Sequence, residues 1–115
     1  MDDIESWLPL STAVLHILLA LAGQERHGYA IMTEIVRQSG GRYRVGPGTL
    51  YDNLDRLLER GLVEENDRKR ADDDPRRRYY RLTKLGKRVL SAEADRLAEV
   101  VKEVRAHLAP ATGRA

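Results

Sequence analysis

Lysine and arginine side chains are the most concentrated chemically active groups in this sequence, and phosphate binding is their characteristic chemistry. Between Arg68 and Arg88 the chain carries ten basic and three acidic residues, a local charge of +7, whereas its formal net charge is only +2. A basic segment beside an acidic remainder is typical of a protein that contacts nucleic acid. Charge alone leaves a second interpretation open, in which the run is simply solvated surface.

A second set of candidate side chains falls within a predicted helix from Pro47 to about Arg60. Gly46-Pro47-Gly48 is typical of a helix start, because the N–H that proline lacks would be unpaired there anyway. Leucines at i, i+4, i+7 and i+8 form an apolar stripe, with Tyr51 at its border. The opposite face carries Gly48, Thr49, Asp52, Asn53 and Arg56.

The chemistry of this face suits the reading of base edges. The Asn53 amide matches adenine and the Arg56 guanidinium matches guanine in bidentate hydrogen bonding. Thr49 and the helix N-terminus suit a phosphate. Asp52 repels phosphate unless its carboxylate accepts a hydrogen bond from a cytosine amine or orients a neighbouring arginine.

The sequence contains little that supports catalysis or metal binding. The chain has no Cys, which excludes disulfides and thiolate zinc sites, and none of its three histidines has a metal-ligand partner at i+4. No Gly-x-Ser-x-Gly or phosphate-cradling glycine motif occurs, and Asp72-Asp73-Asp74 lacks the remainder of a calcium loop. We therefore expect no enzyme activity, no catalytic residue, no metal and no cofactor.

The chain is not expected to enter a membrane. Its longest apolar stretch, Ala13 to Ala22, is far shorter than the ~20 residues that span a bilayer. The acidic start, Met1 to Glu5, does not resemble a secretory signal. A cytoplasmic location is the expectation.

The elements that position these side chains are mostly helical. Leu10 to Ala22 is apolar nearly all round, which predicts a buried helix capped by Ser11 or Thr12. A second helix is predicted from Tyr29 to Gln38, just after Gly28. Leu62 to Leu82 is interpreted as a β-hairpin with a charged loop at its tip.

A fourth helix is predicted from about Lys84 to Leu108, with Thr83 as its cap. Its apolar residues follow a spacing of 4, 3, 4, 3, 4, which is a heptad seam. We favour pairing of this seam with a second copy of the chain, although intramolecular packing stays open. The seam consists of Leu90, Ala94, Leu97, Val101, Val104 and Leu108.

Together these elements predict a mainly α fold with a small β-hairpin, a winged helix-turn-helix followed by a long C-terminal helix. The expected organisation is a DNA-binding domain over residues 1–83, a dimerisation helix over 84–109 and a flexible tail over 110–115. In such a fold the third helix enters the major groove and the hairpin, or wing, lies along the backbone or the minor groove.

Several segments resemble the PadR family of bacterial transcriptional regulators. They are Gly28-Tyr29-Ala30-Ile31, Gly46-Pro47-Gly48-Thr49-Leu50-Tyr51, Gly61-Leu62-Val63 and Arg77-Arg78-Tyr79-Tyr80-Arg81-Leu82-Thr83. The resemblance implies a dimeric repressor of the short subfamily, with one C-terminal dimerisation helix. It also implies a small aromatic or hydrophobic effector, since founding members respond to phenolic acids.

The partners predicted from the sequence are double-stranded DNA, as a pseudo-palindromic operator, and a second copy of the chain. A winged-helix module that binds other proteins without reading DNA is the alternative. Trp7, the only tryptophan, is expected to make a structural contact or to line a ligand cleft. The expected DNA contacts are Arg44, Thr49, Tyr51, Asn53, Arg56, Arg76, Arg77, Arg78 and Tyr79.

Overall fold

A computed structural model describes residues 3–66 and 78–110 of the chain. The chain begins with a short 3₁₀ helix, Ile4–Trp7, and ends with a long helix. Between them lie three helices and the three short strands of a small antiparallel sheet, the first of which comes before the second of these helices. The main elements are α1 (Thr12–Ala20), β1 (Arg26–His27), α2 (Gly28–Gln38), α3 (Pro47–Glu59), β2 (Val63–Asn66), β3 (Tyr79–Leu82) and α4 (Lys84–Leu108).

Local signals set the helix ends close to where the sequence predicts them. The Ser11 hydroxyl accepts a hydrogen bond from the Val14 N–H, and the Thr83 hydroxyl accepts one from the Gly86 N–H. Pro47 occupies the first turn of α3, whose cap residue, Gly46, offers no side chain. The helix α3 stops at Gly61, whose φ of +82° lies in the left-handed region that favours glycine.

The sheet has one strand more than the predicted hairpin. β2 pairs with β3 in antiparallel register, Val63 opposite Leu82, as predicted for the hairpin. β1 pairs with the other edge of β3, so that the strand order is β1-β3-β2. The charged loop predicted at the tip of the hairpin, within residues 67–77, lies outside the described residues, and this includes Arg76 and Arg77.

The core lies where α1, α2, α3 and the start of α4 meet. Ile17, Leu18, Ile31, Ile35 and Leu50 are fully buried, which agrees with the nearly all-apolar α1 and with the α3 stripe. Burying one such side chain contributes about 1.5–3 kcal/mol before the entropy cost of folding. This core fixes α3 against α1 and α2 and leaves its opposite face in solvent.

The helix α4 is buried near its start and becomes increasingly exposed toward its end. Val89 and Glu93 are buried in the core, whereas Val101 and Val104 are about half exposed and Leu108 is 78% exposed. The predicted fold class, a mainly α winged helix followed by a long C-terminal helix, is confirmed. The predicted domain boundary at residue 83 stays a prediction, and the first turns of α4 pack into the core that precedes it.

Candidate nucleic-acid interface

The amino-terminal half of α3 presents an exposed polar surface. Gly48, Thr49, Tyr51 and Asp52 are exposed, because Leu50 and Leu54 occupy the buried side of the helix. Arg44 is exposed in the segment that leads into α3, close in sequence to the positive end of the helix dipole. This end of α3 therefore offers hydroxyl groups and an arginine to an anionic partner.

A cleft joins α3 to the wing. Its volume is about 450 Å³, and its walls include Tyr51 of α3, Tyr29 of α2 and Arg78 just before β3. The Tyr51 ring lies over Gly28, where a Cβ would overlap the Tyr51 hydroxyl. The shared cleft places three predicted elements, the third helix, the second helix and the wing, on one continuous surface.

Asn53 does not lie on the exposed face, and this part of the prediction is wrong. The residue is only 8% exposed. Its Nδ2 donates to the Thr49 carbonyl at 2.8 Å, and its Oδ1 accepts from Arg56 Nη2 at 3.2 Å. Each polar atom of the amide therefore already has one intrahelical partner, which competes with a bidentate contact to adenine.

Arg56 is exposed as predicted and lies on the flank of α3. Its Nη2 donates to Asn53 Oδ1 at 3.2 Å. Three exposed positions of α3 are acidic: Asp52, Asp55 and Glu59. Beyond its first turn, the exposed face of α3 thus carries three negative charges, and apart from Arg56 the positive charge lies around it.

The described part of the wing carries paired arginines and two tyrosines. Arg78 Nη1 lies 3.1 Å from Glu65 Oε1, and Arg81 Nε lies 2.6 Å from Glu64 Oε2. Both pairs are exposed, so each contributes little stability and can exchange partners. Tyr79 is half-buried with its ring edge-on to His27, and burial raises the pKa of Tyr80.

Tyr29 is a candidate that the sequence prediction did not include. Its side chain is 73% exposed on the first turn of α2, beside Tyr51 in the cleft. An aromatic residue directly after Gly28 is the signal in the sequence that could have found it. Its neighbour His27 caps α2, since His27 Nδ1 accepts from the Ala30 N–H at 3.2 Å.

A second surface runs along α1 and α4 and is almost entirely apolar. A groove of about 480 Å³ lies between the two helices. Leu15, Leu19, Leu90, Ala94 and Leu97 are among its lining residues. The stripe continues beyond the groove along α4 through Val101, Val104 and Leu108, so the predicted seam forms one continuous, partly exposed face. We call this surface the α1–α4 face.

The fold and the arrangement of α3 beside the wing define the class of winged helix-turn-helix proteins. Residues 14–92 match the family described as the transcriptional regulator PadR-like family. The chain belongs to this family of transcriptional regulators, as its motifs had indicated.

Individual relatives agree with this assignment. The chain is 40% identical over 90 residues to the transcriptional regulator Rv3488 of Mycobacterium tuberculosis, which covers 78% of this chain and 79% of that protein. It resembles the structure of RosR from H. salinarum, with 31% identity, a TM-score of 0.61, and coverage of 91% of this chain and 84% of that one.

A third relative adds a DNA-bound structure with the same fold. This is Bacillus subtilis PadR in complex with operator DNA, at 23% identity and a TM-score of 0.62. The match covers 73% of this chain and 47% of that chain. Over residues 3–66 and 78–110, no helix of the present chain has the length and hydrophobicity needed to cross a membrane.

Proposed function

We propose that this regulator is a repressor that binds a pseudo-palindromic DNA operator as a homodimer and is released by a small effector. The observation that carries the DNA-binding role is the cleft shared by Tyr51 of α3 and Arg78 of the wing. A recognition helix and a wing on one continuous surface match the way in which winged-helix proteins straddle a groove and its flanking backbone.

The proposed DNA contacts are of two kinds: contacts to phosphates, which position the protein on the duplex, and contacts to base edges, which recognise the sequence. Arg44, Thr49, Tyr51, Arg78 and Tyr79 are proposed to bind phosphates, which fix the register of the protein on the duplex. Arg76 and Arg77 join this group from the sequence alone. Arg56 is proposed to read a guanine, since a bidentate arginine contact is the commonest specific contact in the major groove.

The acidic residues of α3 shape how this surface binds DNA. Asp52, Asp55 and Glu59 are exposed on the helix. Their carboxylates repel the backbone and accept hydrogen bonds only from donors such as the cytosine amine. Affinity therefore comes from the surrounding arginines, and the acidic residues favour sequences with a cytosine amine opposite them.

The proposed dimer uses the α1–α4 face. Its exposed apolar residues follow the heptad spacing, so that a second α4 packs knobs into holes against it. In the single chain, three residues of this face are each exposed to water over about half or more of their surface: Val101, Val104 and Leu108. Burial against a second copy removes that cost, and the symmetry of the dimer matches a pseudo-palindromic site.

Selection of bound sequences from a random duplex pool, with bulk salt set near physiological, tests the proposal. The regulator should enrich an inverted repeat, and its affinity should fall steeply with salt because phosphates are neutralised. A pool with no enriched sequence, together with a flat titration of any duplex at low salt, would favour the protein-interaction module instead.

A further inference from the structure

We propose that Glu25 is a positioning residue for the wing: through Asn66 it ties the outer end of β2 to the helices, and this tie holds the wing arginines in place for DNA. Asn66 Nδ2 donates to Glu25 Oε1 at 2.6 Å and to Glu25 Oε2 at 2.8 Å. Both residues are half-buried, and they lie 41 positions apart in the chain. The role in DNA binding rests on the proposed function, whereas the contact between the two residues does not.

The Glu25–Asn66 pair spans the small sheet. Glu25 directly precedes β1 and Asn66 is the last residue of β2, and β3 lies between these two strands. His27 of β1 and Asn66 of β2 both lie opposite Tyr79 of β3. Neighbouring strands are about 4.8 Å apart, so the two outer strands are about 10 Å apart, and a long side chain such as glutamate is needed to join them. The pair therefore links two strands that the strand order keeps apart.

The pair lies at the end of the hairpin that is farther from α3 and α4. At the base of the hairpin, Val63 lies opposite Leu82, where β2 follows α3 and β3 leads into α4. The Thr83 hydroxyl donates to the Gly61 carbonyl at 2.6 Å and closes this base. Asn66 lies three residues further along β2, about 10 Å away at ~3.3 Å per residue. A restraint at Asn66 therefore opposes pivoting of the hairpin about its base.

Glu25 is itself held to the helices through its neighbour Arg26. Arg26 Nε donates to the Ala20 carbonyl at the end of α1 at 2.7 Å, and its Nη2 lies 3.7 Å from Glu34 Oε1 of α2. The Arg26 and Glu34 side chains are only 21% and 15% exposed, so water and salt screen this pair less than a surface pair. The backbone that carries Glu25 is therefore fixed to both α1 and α2.

Two other ion pairs of the sheet lie within the hairpin. Glu65 pairs with Arg78 and Glu64 pairs with Arg81, and both partners of each pair belong to the wing. These contacts hold the two sides of the hairpin to each other, whereas the contact from Glu25 holds the hairpin to the helices. Glu64 is therefore a matched control for Glu25, because its carboxylate also joins two segments of the sheet.

The contact at Asn66 should matter for DNA binding because Arg78 lies next to its strand partner. Tyr79 lies opposite Asn66, and Arg78 directly precedes Tyr79. A wing that is already held in place loses less conformational freedom when its arginines meet phosphates, so loss of the contact should lower DNA affinity about tenfold. Removal of a carboxylate near DNA would, through charge alone, strengthen binding. Positioning and simple charge therefore predict opposite signs for replacement of Glu25.

The first arm of the test measures the order of the wing in the full chain without DNA, by ¹⁵N relaxation. In the parent chain the backbone amides of Glu65 and Tyr79 should have order parameters of about 0.85, as rigid backbone does. E25A and N66A should each lower these values toward about 0.6 and leave the amide of Val63, at the base, unchanged. Urea denaturation checks that each variant is folded. Unchanged order parameters in both variants would overturn the proposed tie.

The second arm measures affinity for the selected duplex by fluorescence anisotropy. E25A and N66A should each weaken binding about tenfold, and the double variant should lose no more than either single variant, because all three break the same contact. E64A removes the same charge as E25A and should bind at least as tightly as the parent chain. Binding by E25A that is as tight as binding by E64A, or additive losses in the double variant, would overturn the positioning role.

A third arm repeats the E25A measurement in a chain whose wing arginines are neutral, R76Q/R77Q/R78Q. E25A should cause no further loss of DNA affinity there, because the side chains that it positions no longer bind phosphate. A tenfold loss that persists in this background would show that Glu25 does not act through the wing arginines. A parent chain that binds no duplex would count against the proposed function, while the order parameters would still decide whether Glu25 holds the wing.

Discussion

The phenol ring of Tyr51 in α3 lies directly over the backbone of Gly28 at the start of α2, so that a Cβ at position 28 would overlap the Tyr51 hydroxyl. Gly28 is buried, whereas Tyr51 is 42% exposed and reaches the cleft beside the wing. This contact fixes how closely the first turn of α2 approaches the exposed face of α3. It therefore sets the geometry of the surface that we propose binds DNA.

Replacing Gly28 with alanine should separate the two helices or displace the tyrosine ring. We expect G28A to lower the free energy of unfolding by about 1–3 kcal/mol, as overpacking of a close contact does. Urea denaturation measures the change. G48A is the matched control, because a Cβ at Gly48 meets nothing within 4 Å. If G28A and Y51A destabilise additively in a double-mutant cycle, the two residues are not in the contact described.

The buried Glu93 carboxylate should matter for stability through both of its partners. Glu93 is 1% exposed, and it pairs with Arg96 at 2.6 Å while accepting from the Leu10 N–H. We expect E93Q to lower the free energy of unfolding by about 1–3 kcal/mol, because charged hydrogen bonds become neutral ones. The exposed E99Q on the same helix serves as the control and should change stability little.

Glu93 should also make stability depend on pH in the acid range. Its hydrogen bonds from Arg96 hold the pKa of the Glu93 carboxyl below its usual value, despite burial. The stabilisation is therefore complete above the unfolded pKa of about 4.3 and is lost as pH falls through the lower, folded pKa. Thermal unfolding between pH 7 and pH 3 should show the E93Q curve approaching the parent curve. Parallel curves would mean that Glu93 does not carry this pH dependence.

Placing a charge in the α1–α4 face should dissociate the proposed dimer. We expect V104D to be a monomer at micromolar concentration by light scattering, and to bind operator DNA at least about a hundredfold more weakly. A106D places the same carboxylate on the opposite side of α4, at an exposed position, and should stay dimeric. A V104D monomer that retains full DNA affinity would show that the seam and DNA binding are not coupled.

Truncation of an arginine that reads a base and truncation of an arginine that binds phosphate should affect DNA affinity in different ways. R56A should cost about 1–3 kcal/mol at one base position of the selected site and relax specificity there. R44A should weaken binding to all sequences about equally and reduce the salt dependence by about one unit per chain. Anisotropy titrations of single-base variants of the site distinguish the two. Equal effects of both changes on every sequence would remove the base-reading role from Arg56.

The ends of α3 and α4 were predictable because each depends on a residue with a local conformational preference. Pro47 begins α3, Gly61 ends it, and Thr83 caps α4, and none of these preferences needs a distant partner. The strand β1 could not be predicted in the same way. It is only two residues long, and it exists because Arg26 and His27 pair with Tyr80 and Tyr79 more than fifty positions away.

The error at Asn53 has a related cause. The sequence predicts Asn53 on the face opposite the apolar stripe, but its Nδ2 donates to the Thr49 carbonyl and its Oδ1 accepts from the Arg56 guanidinium within the same helix. Burial therefore costs little, and the residue turns inward. The contact of the Arg60 guanidinium with the Trp7 ring could not be predicted either, because it depends on the segment before α1 packing against the far end of α3.

The most direct test of the proposed function is the dependence of affinity on the spacing between half-sites. A homodimer joined through α4 should place its two recognition helices about one DNA turn apart, ~34 Å, on the same side of the duplex. Inserting about half a helical turn of DNA between the two half-sites of the selected operator moves the half-sites to opposite sides of the duplex. The affinity of the dimer should then fall to its affinity for a single half-site. Equal affinity for the parent and the inserted operators, with two chains bound to each, would contradict the account.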